Sequence, residues 1–318
     1  MASCSGASKG ITGLGTFTGA GVGSSVLTRK VYRNANESQP MTTDNQVVAA
    51  ITKPSEILGL LGSPRLSPYK QNFKPKTDEE LLGAYQWAQA VSASLHPLLG
   101  LVEVVLRNAI HESLSLQCSA KASNSFPWYD RAENRSIVLR GKSLAKIEDL
   151  LCEGTPQLRK QIQPTPDLVV SRLSIGFWPN VLEELGNRHA PRTFTDVFPF
   201  YPHSKPTHWS YEPNKNKVVM RLKRFQDLRN RVCHFEAVWK PHWVGAQGTH
   251  WSHGVQGLKS FHDGIVELLA WCSQDAAQHY RGSFGCNWFS QLCTTNAVMA
   301  FMQHGEQQAF LKTFRSPE

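Results

Sequence analysis

Arg221-Leu-Lys-Arg-Phe-Gln-Asp-Leu-Arg-Asn-Arg-Val-Cys-His-Phe-Glu236 packs four arginines, a lysine and a histidine into sixteen residues. Apolar residues run through this stretch and just ahead of it, at Val218, Leu222, Phe225, Leu228 and Val232. Their steps of three and four mark one face of an amphipathic helix, with the charge on its other faces. The spacing predicts a helix over 216–233, buried along that stripe. Arg229, Asn230 and His234 stand at its end. An imidazole moves protons near neutral pH, and a guanidinium grips phosphate oxygens in a bidentate fork. Together they suit phosphodiester chemistry in which neither a metal nor a cofactor takes part.

A second helix is read over 98–116 from Leu98, Leu101, Val102, Val105, Leu106, Ile110 and Leu114. It carries Glu103, Arg107 and His111 at i, i+4 and i+8, with Asn108 beside them. Such a row on an exposed helix is often no more than a surface ion pair worth a few tenths of a kcal/mol. On a helix that is apolar on most other sides it needs partners. The 216–233 helix offers them in Arg229, Asn230 and His234, so the two helices are expected to pack together. Helix geometry raises one objection. Five residues turn an ideal helix through about 140°, so Arg229 and His234 do not share a face. Either the helix ends or unwinds near Cys233, or the site forms between two chains.

The rest of the chain reads as helices and loops, with clean two-residue alternation nearly absent, and the fold class is all-α. Residues 1–47 are rich in Gly, Ser, Thr and Asn and lack the apolar surface to offset chain entropy, so they read as a disordered tail. Gly13-Leu-Gly15 and Gly19-Ala-Gly21-Val-Gly23 have no strand before them or helix after them, which argues against a dinucleotide loop. Met41 offers an alternative start. Residues 48–318 are read as one helical domain with long loops. Ser55 is read as the N-cap of a short helix to Leu61, and Pro64, Pro68 and Pro75 break the stretch beyond it. Thr77 and Glu80 have the capping-box pattern ahead of a helix that Pro97 kinks or splits. A helix over 136–151 and a loop around a buried aromatic at Phe126-Pro-Trp128-Tyr129 come next. Asp167 caps a short helix. Residues 190–216 and 240–257, rich in Pro, Thr, Tyr and Gly, are read as long loops.

The 318 residues carry a net charge of +9, a moderate excess that attracts nucleic acid, anionic lipid or merely solvent counterions. Seven cysteines are widely spaced with no C-x-x-C pair, which fits reduced thiols in a cytoplasm better than a disulfide scaffold or a zinc ribbon. No apolar run approaches the 18 residues of a membrane span, so no membrane role is expected. His242, His250, His253 and His262 look like a metal cluster, but no carboxylate stands at ligand spacing, and solvent-exposed loop histidines are the simpler reading. Cys233 is read as a core or interface thiol, because adjacent helical residues point about 100° apart.

Three blocks carry a resemblance. Leu101-Val-Glu-Val-Val-Leu-Arg-Asn-Ala-Ile110, Leu173-Ser-Ile-Gly-Phe-Trp178 and Leu228-Arg-Asn-Arg-Val-Cys-His-Phe-Glu236 resemble, in order and separation, the signature blocks of the Abi-like proteins of bacteria. These are associated with abortive infection and belong to the HEPN superfamily. The resemblance covers roughly residues 50–300 and implies a HEPN-like helical bundle. It implies that Arg229 and His234 are catalytic residues of a metal-independent ribonuclease, with Asn230 shaping the site and Glu103, Arg107 and Asn108 supporting it. His111 joins that supporting row from the same helix. It also implies a homodimer whose two motifs line one cleft, which would answer the geometric objection. Many members read Arg-Asn-Arg-x-Ala-His-His-Glu-Pro; here Cys233, Phe235 and Ala237 replace the Ala, the second His and the Pro.

The expected function is therefore an endoribonuclease of phage defence or toxin type, acting on RNA, with an antitoxin or a phage-derived trigger as its regulator. The alternative is a non-catalytic HEPN module that binds RNA, a nucleotide or a protein partner. A third reading makes the polar row a purely structural salt-bridge network.

Overall fold

In the computed structural model, residues 53–314 are described, and the tail, its glycine-rich motifs and Met41 lie outside them. The described residues form one unit. Among the described residues the regular elements are all helices, apart from an isolated bridge between Cys152 and Arg159. In chain order they are α1 (Pro54–Leu61), α2 (Ser63–Phe73), α3 (Asp78–Cys118), α4 (Gly141–Leu151), α5 (Pro166–Arg172), α6 (Phe177–Glu184), α7 (Ala190–Val197), α8 (Pro206–Trp209), α9 (Glu212–Cys233), α10 (Pro241–Val244), α11 (Trp251–Cys272), α12 (Gln274–Arg281), α13 (Phe284–Leu292) and α14 (Thr295–Phe314, broken at Gly305).

α3 is the axis of the molecule. It starts at the expected cap: the Thr77 hydroxyl accepts from the Glu80 amide at 3.3 Å. The Glu80 carboxylate reaches back to the Lys76 amide at 2.6 Å, one residue earlier than a standard capping box. The helix then runs 41 residues without a break, so Pro97 does not split it. Two serines just upstream fold their hydroxyls onto the helix backbone, Ser92 to the Ala88 carbonyl and Ser94 to the Val91 carbonyl, both at 2.7 Å. The proline ring itself is a packing surface. A β-carbon at Gly285 of α13 would lie 2.9 Å from the Pro97 ring, so α13 crosses there with only a glycine between. By length and composition α3 is apolar enough to cross a membrane. Part of that surface is covered by protein: α1, α2, α5, α7, α9, α11, α13 and α14 all pack on α3.

Several expected loops and boundaries are helical or shifted, and proline explains most of them. α1 begins at Pro54 with Lys53 as its N-cap rather than Ser55. α2 runs through Pro64 and Pro68, so neither breaks the chain there. α5 is capped by Thr165, with Asp167 in its first turn. Residues 190–216 hold α7, α8 and the start of α9, and residues 240–257 hold α10 and the start of α11. α4 begins at Gly141, five residues later than expected. A proline at the first helical turn lacks only an amide that would be unpaired anyway, and its φ is already helical.

The core around the end of α9 is aromatic. The Phe73 ring lies 4.6 Å from Trp239, 5.4 Å from Trp251 and 6.1 Å from Trp87, tying α2, α3, α11 and the segment after α9 together. Trp128 is fully buried as expected, its carbonyl held by the Asn134 side chain at 2.7 Å.

Candidate functional site

α9 is built as its pattern predicts. Val218, Leu222, Phe225, Leu228 and Val232 are all buried, and Val219 joins them. Its end is a defined stop. The Glu236 amide bonds the Arg231 carbonyl at 2.8 Å and the Phe235 amide bonds the Val232 carbonyl at 3.2 Å, the paired bonds of a Schellman ending. The left-handed residue of that ending is Phe235, with φ 55, where glycine is the usual occupant. Arg65 of α2 donates to the Phe235 carbonyl and pins the turn from outside.

The ending decides how Arg229 and His234 relate. The His234 amide still bonds the Asn230 carbonyl at 2.9 Å, so His234 keeps its place in the last turn. It therefore stands about 140° around the axis from Arg229. The helix does end at Cys233, but that does not bring the two side chains onto one face. Arg229 turns toward α3, where its Nε lies 3.6 Å from the Glu103 carboxylate. His234 is exposed, and its ring has no hydrogen bond or ion pair among the described residues. Asn230 contributes its carbonyl to the turn. Cys233 is exposed, so it is not a core thiol. Arg231, the arginine three residues from His234, is held by Glu236 at 2.9 Å and lies over the Trp243 ring at 4.7 Å. Beside the turn is a cleft of about 490 Å³ whose walls include Arg65, Tyr69, Phe235, Glu236 and Lys240.

The polar row of α3 divides. Glu103 pairs with α9 as expected, but Arg107, Asn108 and His111 do not. Each step of four residues turns a helix by about 40°, so from Glu103 to His111 the row has moved about 80° around α3 and about 12 Å along it. There it faces α5 and lines a separate cavity of about 360 Å³ with Glu112, Asn124 and Asp167. His111 is buried. Its Nδ1 accepts from the Trp128 indole N–H at 3.0 Å, which places the ring proton on Nε2, 4.0 Å from the Asp167 carboxylate. Burial pushes its pKa down, and Asp167 opposes this only in part. Burial thus disfavours the charged form of His111, and its buried Nε2 has no hydrogen-bond partner among the described residues. The Arg107 Nε is also buried and has no protein partner.

The four histidines expected in loops divide too. His250 caps α11, accepting from the Ser252 amide, and His242 and His253 are exposed. His262 is buried inside α11, bonded to the Tyr280 hydroxyl at 2.9 Å and stacked on Phe289 at 4.0 Å. Sequence reasoning missed a row of arginine–aromatic contacts along α9, although Lys217, Arg221, Arg224 and Arg231 recur at steps of four, three and seven. It also missed Asp167 as a neighbour of His111, since nothing local relates two residues so far apart in the chain.

No protein-family model, curated protein or solved structure matches this chain. The likeness to the Abi-like proteins rests on the three sequence blocks alone.

Proposed function

We propose that this protein is a metal-independent endoribonuclease of abortive-infection or toxin type, with Arg229 and His234 as catalytic residues and Asn230 shaping the turn between them. The observation that supports this most is the Arg229–Glu103 contact, which ties one member of the α3 row to the end of α9 while leaving the His234 imidazole open to solvent. In the reaction His234 takes the proton of an RNA 2′-hydroxyl, and that oxygen attacks the adjacent phosphorus. The bond from phosphorus to the 5′-oxygen breaks, and the leaving oxygen takes up a proton. Arg229 stabilises the charge that builds on the phosphoryl oxygens. The products are a 2′,3′-cyclic phosphate and a 5′-hydroxyl. Because one chain separates the two side chains by about 140°, the working site takes Arg229 from one chain and His234 from its partner in a homodimer. An antitoxin would hold such an activity in check, or a phage-derived trigger would release it.

A second reading has an observation of its own. Arg229 is already committed to Glu103, and the row's other members line a cavity elsewhere. On that reading the chain is a non-catalytic module that binds RNA, a nucleotide or a protein. Induced expression separates the two. Wild type should arrest growth and leave cyclic-phosphate RNA ends, and His234→Ala should do neither. Fragmentation that persists in His234→Ala would remove the catalytic assignment, and binding weakened by Arg229→Ala but indifferent to His234→Ala would favour the module.

A further inference from the structure

Arg221, Arg224 and Arg231 each lie over an aromatic ring: Trp271 at 4.4 Å, Phe261 at 4.7 Å and Trp243 at 4.7 Å. Trp243 and Phe261 themselves touch, with ring centroids 5.3 Å apart, so the last two pairs form one stack. With Lys217 these arginines occupy one face of α9 that extends about 21 Å along its axis. Two adjoining grooves open on this face. One, of about 310 Å³, lies between α9 and α11 over Phe261; the other, of about 710 Å³, runs over Trp271 toward Tyr201. They share Lys217, Met220 and Arg221, and no carboxylate lines either.

The charges in these grooves are not all spent. Arg221 is paired with Glu267 just outside them, but Lys217 and Arg224 are exposed and make no ion pair among the described residues. Between them Met220 is 60% exposed. A guanidinium laid flat on a ring keeps its N–H edge pointing outward in a fixed direction, which suits a phosphate. An exposed thioether beside aromatic walls suits a flat apolar ligand. The occupant that joins a line of negative charges to flat apolar faces is single-stranded nucleic acid. We infer that the groove between α9 and α11 is the track along which single-stranded RNA is bound, with its phosphates at Lys217 and Arg224, leading toward the Arg231 end of the helix. This deepens the ribonuclease reading and rests on RNA being the ligand.

The test uses the full chain and a fluorescent single-stranded RNA made uncleavable by 2′-O-methyl groups, with binding followed by anisotropy across a salt series. Lys217→Glu with Arg224→Glu should weaken binding about tenfold or more and flatten the salt dependence by about 1.4 in log–log slope, the loss of two phosphate contacts on a single strand. Lys142→Glu with Lys146→Glu on the exposed side of α4 is the charge-matched control and should leave the slope unchanged. Equal weakening by both pairs, no weakening by the first, or tighter binding of the corresponding duplex would overturn the track. The 2′-O-methyl groups block cleavage, so the anisotropy reads binding alone. Failure of wild type to cut RNA, with groove-dependent binding intact, would therefore count against the catalytic reading and not against the track.

Discussion

Phe235 holds the turn after α9 in a left-handed conformation, with φ 55 and 63% of its surface exposed. A side chain in that region costs about 1–2 kcal/mol, and little burial offsets it here. Phe235→Gly should therefore stabilise the protein by up to about 1 kcal/mol after allowing for the freer unfolded chain, read as a higher urea midpoint. A lower midpoint would show that the ring makes contacts that outweigh the strain. Burial governs the histidines. His262 and His111 are both held below the ordinary imidazole pKa by burial, against the raising effect of Asp263 and Asp167. A depressed folded pKa means that the unfolded chain binds more protons in the window below about 6.5. Stability is therefore full above about 6.5 and falls as pH drops through the window, by up to about 1.4 kcal/mol per pH unit for each histidine. His262→Gln, which keeps a partner for the Tyr280 hydroxyl, should remove its share of that slope in urea titrations at several pH values. An unchanged slope would contradict the assignment.

At the scale of elements, α3 and α14 cross with almost no room between them. A β-carbon on Gly83 would fall inside contact distance of the Phe301 carbonyl. Gly83→Ala should cost about 1–3 kcal/mol. Gly100→Ala, on the same helix with open space around it, should instead stabilise by roughly 0.5–1 kcal/mol. Thermal melts of the two variants check the pair, and similar melting temperatures would contradict the crossing. Long helices are legible because their periodicity is sustained: the apolar stripe of α9 is buried position for position. Short ones are not. α7, α8 and α10 have 8, 4 and 4 residues, too few turns to show a period, and each has in its first turn a proline that reads as a breaker. The candidate site is half legible for a related reason. Spacing shows that Glu103, Arg107 and His111 form a row, but only the direction of neighbouring helices decides which part faces α9 and which faces α5. The arginine–aromatic stack spans α9, α10 and α11, so the charge pattern is visible in sequence while its ring partners are not.

For the whole molecule, the arrangement sets the candidate site on a packed support. α3 and its partners form the centre, and the polar end of α9 sits on that centre through Glu103 and the Phe73–Trp239 aromatic contact. The groove and the turn at Phe235 lie on the outside of the same helix. The central claim is that Arg229 and His234 cleave RNA using its own 2′-hydroxyl. The most direct measurement incubates purified protein with single-stranded RNA in EDTA and identifies the ends formed, for wild type, Arg229→Ala, His234→Ala and a mixture of the two variants. The account predicts 2′,3′-cyclic phosphate ends with wild type, none with either variant, and partial recovery in the mixture, where one chain supplies the arginine and its partner the histidine. Uncut RNA with wild type, cutting that EDTA abolishes, or full activity in His234→Ala would contradict it.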